Sequence, residues 1–192
     1  MRAPLALAAL LLWAPAEAPA ATECDTLWVT RNLIFHRAGH CFASTLGQQL
    51  FGNAGCTTTQ AQLAPADSAA VARMRALEGH LGCHVNTAAA PSAAQRAVLA
   101  RLSRLIDIPE PDEFGSACWG WQGPGAPLYA GASASSPVIG HIATGQSLLY
   151  SHWPRNGWEF VQVSNGPGTP VIAEGWTHGL PIGPQICEMM AG

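Results

Sequence analysis

The chain has 192 residues and a formal net charge of −3, and 11% of its residues are charged while 48% are hydrophobic. This abundance of apolar residues argues against intrinsic disorder. All nine basic residues are arginine and form no cluster along the chain. Nucleic-acid binding is therefore not expected, because it needs a concentrated basic face.

The first twenty residues have the three-part pattern of a secretory signal peptide. Arg2 precedes the apolar run Leu5–Trp13, which is too short to span a bilayer, and small residues follow up to Ala20. We expect cleavage after Ala20, which leaves about 170 residues for one domain or two small ones. Glu23 before Cys24 does not fit a lipid-attachment signal. We expect a soluble mature protein, without a membrane anchor, in the periplasm or outside the cell.

Helical periodicity indicates four helices in residues 21–108. The first is predicted from about Asp25, as N-cap, to Arg37. The second and third are predicted at about 45–52 and 66–80. The fourth has the clearest signature, because Ser92 and Gln95 form a capping-box pattern. Its predicted apolar stripe comprises Val98, Leu99, Leu102, Leu105 and Ile106. The arginines predicted to reach solvent from it are Arg96, Arg101 and Arg104.

An even number of cysteines in an exported chain predicts disulfides. The six are Cys24, Cys41, Cys56, Cys83, Cys118 and Cys187. The first helix would hold positions 24 and 41 about 20 Å apart, and a disulfide needs Cα atoms within about 7 Å, which excludes that pair. If the first three helices run up, down and up, the pairs are 24–56 and 41–83. The alternative, 24–83 with 41–56, stays open. The pair 118–187 brackets the second half and is expected to close it.

Residues 109–116 contain two prolines in three positions and are predicted as a linker to a second domain at 117–192. Short apolar runs between turn residues predict strands in that domain. They are 128–129, 138–142, 147–150, 158–163 and 175–177. Their spacing predicts a small antiparallel β-barrel. The expected fold class is therefore α+β, a disulfide-linked helical module followed by a barrel.

The order of motifs in the second half resembles a bacterial SH3-type domain. The motifs are Ala132–Gly140, the turn at Gly145, Gly157–Val163 and Gly175–Thr177. The chain departs from that pattern around Tyr129, where an arginine is usual, and in an insertion at about 167–173. The resemblance implies an SH3-like barrel.

Residues Thr30–Phe42 resemble the YARHG extracellular module through its Arg-Asn, Ile-Phe, Arg, Gly and Phe framework. Ala38 and His40 depart from it. Arg31 is expected to pair with an acidic group or a helix end, and Asn32 to hydrogen-bond a loop. The whole chain is similar to a group of exported alphaproteobacterial proteins that join such a module to an SH3-like tail. That group has no established activity.

No catalytic constellation is apparent. Six paired cysteines leave no thiol nucleophile, and the chain has neither a G-x-S-x-G nor an H-E-x-x-H motif. Histidines flank two of the cysteines, but oxidised cysteines do not bind zinc. These histidines are His36, His40, His80 and His84. We therefore predict no catalytic residue, no metal and no cofactor.

Seven tryptophan and tyrosine residues crowd the second half. Trp158 and Trp176 are predicted in the core, whereas Trp121, Tyr129 and Trp153 lie nearer loops and are candidate ligand-binding residues. The predicted function is non-catalytic binding in the bacterial envelope, with peptidoglycan or an envelope protein as ligand. The alternative is a cell-wall hydrolase or a hydrolase inhibitor.

Overall fold

A computed structural model describes residues 22–192, in which four helices precede seven strands. The helices are α1 (Glu23–Arg37), α2 (Thr45–Phe51), α3 (Pro65–His80) and α4 (Ala93–Leu102). The strands are β1 (Pro111–Trp121), β2 (Ala126–Tyr129), β3 (Val138–Ile142), β4 (Ser147–His152), β5 (Glu159–Ser164), β6 (Val171–Thr177) and β7 (Cys187–Ala191). The α+β class is confirmed. The predicted signal peptide and its cleavage site lie outside the described residues.

Helices α1, α2 and α4 begin at side-chain caps, whereas α3 begins at Pro65 without one. The Ser92 and Gln95 capping box is present at the start of α4. The N-cap of α1 is Thr22, whose hydroxyl accepts from the Asp25 amide, so the prediction of Asp25 as cap was wrong. The α4 stripe also ends earlier than predicted. Because the helix stops at Leu102, Ile106 falls in the next turn and is 57% exposed.

The disulfides are Cys24–Cys83, Cys41–Cys56 and Cys118–Cys187. The last was predicted correctly, but the preferred pairs 24–56 and 41–83 were wrong and the alternative holds. Helix lengths explain this. The seven residues of α2 span about 10 Å and cannot return the chain along α1, whose 15 residues span about 22 Å.

The chain after α2 instead stays beside the C-terminal end of α1. The Cys41 amide donates to the Thr58 carbonyl at 2.7 Å, and the Thr57 amide donates to the Gly39 carbonyl at 2.8 Å. The return is made by α3, which has 16 residues and runs antiparallel to α1. Its C-terminal end therefore brings Cys83 to Cys24.

The seven strands form one antiparallel sheet in the order β3-β2-β6-β5-β4-β1-β7. The predicted barrel is wrong, because β3 and β7 are the two edges and the sheet does not close between them. Both ends still contribute to one core, since Leu128 and Ile142 cluster with Trp121 and the Cys118–Cys187 disulfide. The segment predicted as a linker, 109–116, mostly lies in β1, which pairs with β4 and β7.

A second core joins the helices to the sheet. Phe160 and Trp176 from β5 and β6 pack with Trp28, Leu33 and Leu102 from α1 and α4. A third core lies between α1 and α3. The helical and sheet regions therefore share buried side chains. No helix among residues 22–192 has the length and apolar composition that crossing a membrane requires.

The YARHG-like residues of α1 are structural. Arg31 forms a double hydrogen bond to the Glu78 carboxylate on α3, at 3.1 and 3.2 Å, as its predicted acidic partner. Asn32 donates to the Trp28 carbonyl one turn earlier, at 2.8 Å, and not to a loop as predicted. Both side chains therefore satisfy their polar atoms near the α1 core.

Candidate functional site

A groove of about 600 Å³ lies where the helices meet the sheet, and we call it the junction groove. One wall is the C-terminal end of α1 together with the N-terminal half of α3. The opposite wall is formed by segments 106–110 and 153–155. Trp176 lies at its base, 1% exposed, and its indole NH donates to the Asp107 carbonyl at 2.9 Å. The groove is therefore built on the shared core.

The α3 wall is smooth because its residues are small. Alanines one turn apart face the groove, and Met74 closes the wall against α1. The alanines are Ala66, Ala69 and Ala70. Such a wall lets a ligand approach the helix backbone closely. It also offers apolar surface, which ligand sites commonly use.

Trp153 forms part of the opposite wall and is 47% exposed. It follows directly after β4, and its backbone amide donates to the Glu110 carbonyl at 2.8 Å. Pro154 fixes the next backbone φ angle. The indole is thus presented to solvent from an anchored backbone, which suits stacking against a ligand.

Two ion pairs lie along the groove. Arg73 on α3 hydrogen-bonds Glu110, with one N–O distance of 2.6 Å, and this bonding raises the pKa of Arg73. Arg155 lies 3.4 Å from Asp107. In each pair the guanidinium is the more exposed partner, 53% against 12% and 41% against 27%. The guanidinium is therefore the part of each pair that solvent reaches most easily.

Arg37 adds a third guanidinium at the end of α1. Its two terminal nitrogens donate to the Ile106 and Leu105 carbonyls at 2.8 and 2.7 Å. Burial lowers the pKa of Arg37, while the Asp107 and Asp67 charges oppose that shift. An arginine stays protonated under such a shift. Arg37 is therefore a positioned positive charge that also fixes the turn after α4.

The three aromatic residues predicted to bind a ligand do not lie together. Trp153 lines the junction groove. Trp121 is fully buried, and its indole NH donates to the Pro181 carbonyl at 3.1 Å, so it is not available as a groove residue. Tyr129 packs edge-on against Trp158 at 5.4 Å, on the sheet. Trp158 is half-buried, whereas Trp176 is in the core as predicted.

A second polar cluster lies inside the junction and we call it the buried cluster. Arg101 of α4 lies 2.9 Å from the Glu174 carboxylate, whose other oxygen accepts from Gln162 at 3.2 Å. Burial raises the pKa of Glu174, and Arg101 opposes that shift. Neighbouring His152 packs edge-on against Phe160 at 4.8 Å, and burial lowers its pKa to about 3. Arg101, predicted to reach solvent, instead ties α4 to β6.

The histidines near the cysteines do not gather into a metal site. His36 and His40 pack against Phe42 at the C-terminal end of α1. His80 and His84 lie near the Cys24–Cys83 disulfide, beside the opposite end of that helix. Among residues 22–192, no group of three or more His, Cys, Asp or Glu side chains is arranged to hold a metal ion.

Two protein-family models match the chain. A domain of unknown function, DUF4453, matches residues 82–192, and the YARHG domain matches residues 5–79. The second match overlaps residues 5–20 of the predicted signal peptide and extends through α3 to its penultimate residue. The comparisons with curated proteins and with solved structures found no match.

The boundary between the two matches falls at the end of α3, so α4 lies within the DUF4453 match. The predicted boundary was at 108–109. The Cys24–Cys83 disulfide links the two matched regions. The junction groove takes its α1 and α3 wall from the YARHG match and its opposite wall from the DUF4453 match. The groove is thus a product of their combination.

Proposed function

Since the chain belongs to the DUF4453 family and joins that domain to a YARHG domain, we propose that it is a non-catalytic binding protein of the bacterial envelope. The proposed ligand is peptidoglycan, bound in the junction groove. Three disulfides support a place in the periplasm or outside the cell, because disulfides persist in oxidising compartments. The YARHG domain, a module of exported proteins, supports the same location.

The observation that carries this proposal is the exposed indole of Trp153, which lies in the groove wall opposite the alanines of α3. An indole face can stack on the apolar face of a sugar ring or on a peptide. The guanidiniums beside it can donate to carbonyl and carboxylate oxygens. A groove of about 600 Å³ also lies within the usual size of ligand sites. Peptidoglycan offers sugar rings and peptides in one polymer.

The resemblance of the second half to SH3-type domains supports a binding role as well. We propose that residues 117–192 are an opened relative of that fold. The strands expected at 138–142, 147–150 and 175–177 lie within β3, β4 and β6. An extended segment of an envelope protein is the other ligand class that this resemblance allows.

A pull-down with purified sacculi tests the proposal on the chain from residue 21 onward. We expect the wild-type protein to sediment with sacculi, and Trp153→Ala to weaken binding about tenfold or more, as for an interface hot spot. The matched control is Phe114→Ala, which removes an aromatic that is 76% exposed and outside the groove lining. Equal retention of both variants would contradict the groove as the binding site.

A zymogram with the same sacculi tests the non-catalytic part of the proposal. We expect no cleared zone around the wild-type protein. A cleared zone would favour the hydrolase alternative. A known hydrolase can be added to the same assay. If both the wild-type protein and Trp153→Ala slow its clearing, the protein would be a hydrolase inhibitor that acts through a surface other than the junction groove.

A further inference from the structure

The ion pairs of the junction groove differ in how firmly each holds its arginine, and this difference indicates which arginine can bind a ligand. We infer that Arg155 selects peptidoglycan through a free carboxylate of its peptides, so that the groove prefers fragments with free carboxylates over fragments whose carboxylates are blocked. This inference rests on the proposed function and names the part of the polymer that is recognised. It also separates Arg155 from Arg73, which has a structural role.

Arg155 is loosely held by its acidic neighbour. The 3.4 Å contact with Asp107 exceeds the roughly 2.7–2.9 Å of a strong charge-assisted hydrogen bond. Asp107 is satisfied without it, because its other carboxylate oxygen accepts from the Ala132 amide at 2.8 Å. Arg37 supplies a second positive charge near Asp107. Redirecting Arg155 to an incoming carboxylate therefore costs little.

The backbone of Arg155 is fixed even though its side chain is 41% exposed. Its amide donates to the Trp158 carbonyl at 2.8 Å, and the Trp158 amide donates back at 2.9 Å. Asn156, with φ 51°, and Gly157 form the turn between them. The guanidinium therefore moves about an anchored point two residues from Trp153. A ligand stacked on that indole lies within reach of it.

The other two arginines of the groove already donate hydrogen bonds to acceptors within the protein. Arg73 makes two hydrogen bonds to Glu110, which connect α3 to the start of the sheet. Arg37 donates to two backbone carbonyls. The donors of both side chains already have partners in the protein. Among these three arginines, Arg155 has the donors that a ligand can take over most easily.

The chemistry of peptidoglycan makes this a choice between its two parts. Where a peptide is attached, the lactyl carboxyl of N-acetylmuramic acid is consumed in an amide bond, so the glycan is uncharged and the free carboxylates belong to the peptide. A planar guanidinium binds a carboxylate through two parallel hydrogen bonds, which a neutral sugar does not match. The groove is therefore expected to distinguish a disaccharide-peptide with free carboxylates from one whose carboxylates are amidated.

Isothermal titration with three probes tests this inference. The probes are a disaccharide-peptide with free carboxylates, the same fragment with amidated carboxylates, and the peptide-free disaccharide with its lactyl carboxyl amidated. We expect the wild-type protein to bind the first about tenfold or more tightly than the other two. Arg155→Gln should remove that preference and bring all three affinities together. Arg155→Lys should restore part of it.

The matched control is Arg96→Gln, which removes an exposed arginine of α4 outside the groove lining. It should keep the full preference for free carboxylates. Equal wild-type affinity for the free and amidated fragments, with both lost in Trp153→Ala, would overturn the carboxylate inference alone. Absence of binding to every probe and to sacculi would instead overturn the proposed function.

Discussion

Two arginine–carboxylate contacts at the junction of helices and sheet differ chiefly in burial. In the buried cluster, the Glu174 side chain is 3% exposed and lies 2.9 Å from Arg101. In the junction groove, Asp107 is 27% exposed and lies 3.4 Å from Arg155. Both contacts use the same chemical groups. They therefore show that the solvent exposure of the carboxylate decides whether such a pair stabilises the fold or leaves its arginine free to bind a ligand.

The physical reason is desolvation. A buried carboxylate has lost its water, so removal of its partner leaves an uncompensated charge in a medium of low polarity. An exposed pair exchanges its partner for water at a cost of about 0–1 kcal/mol. The buried cluster therefore holds α4 against β6, whereas Arg155 can leave Asp107 for a ligand. Three experiments test this difference between the buried cluster and the Arg155 contact.

The largest effect is expected in the buried cluster. Glu174→Ala should lower the free energy of unfolding by about 1–3 kcal/mol, because it removes the buried acceptor of Gln162 and the carboxylate that pairs with Arg101, whose side chain is 33% exposed. Urea unfolding followed by tryptophan fluorescence measures this. The matched control is Glu113→Ala, which removes an exposed carboxylate at the start of the sheet and should cost under about 0.5 kcal/mol. Similar losses in the two variants would contradict a structural role for Glu174.

The second effect is a dependence of stability on pH. Burial lowers the pKa of His152 to about 3, below its ordinary value of about 6.5, so the unfolded chain takes up a proton that the folded protein refuses. Stability should therefore fall as pH falls from about 6.5 towards 3, with a limiting slope of about 1.4 kcal/mol per pH unit from this group. His152→Gln should flatten that slope.

The titration of Glu174 changes the stability in the opposite direction to that of His152. The pH experiment therefore has to separate the two contributions. Because burial raises its pKa, the folded protein keeps this proton to higher pH than the unfolded chain, and stability falls as pH rises above about 4.5. The difference between wild type and His152→Gln at each pH cancels this contribution. The exposed control His141→Gln should run parallel to wild type. Parallel curves for His152→Gln as well would refute the prediction.

Local sequence signals predicted the helical region well. Capping residues and apolar spacing act within a few residues, so the four helices and most strand cores were placed close to their observed bounds. The preferred disulfide pairs were wrong, although the predicted helix lengths already argued against them. The predicted second helix, 45–52, spans only about 12 Å, which conflicts with bringing Cys56 back to Cys24.

Other features depend on tertiary structure and had no local signal. The strand β1 contains a proline and two glycines, which are poor strand formers, and its pairing with β4 and β7 decides its conformation. Trp153 was predicted as a candidate ligand-binding residue because it lies near a predicted loop. Arg37, Arg73 and Arg155 come from α1, α3 and the loop after β4, so only packing brings them to one groove.

The smallest expected effect is also the most direct check on Arg155. Arg155→Gln should change the free energy of unfolding by no more than about 0.5 kcal/mol, because the exposed contact with Asp107 contributes little. Its counterpart Arg101→Gln should cost several times more, since it leaves Glu174 buried without its partner. Urea unfolding of both variants measures the contrast. If the two losses were equal, Arg155 would be a structural residue, and its guanidinium would not be free to bind a carboxylate.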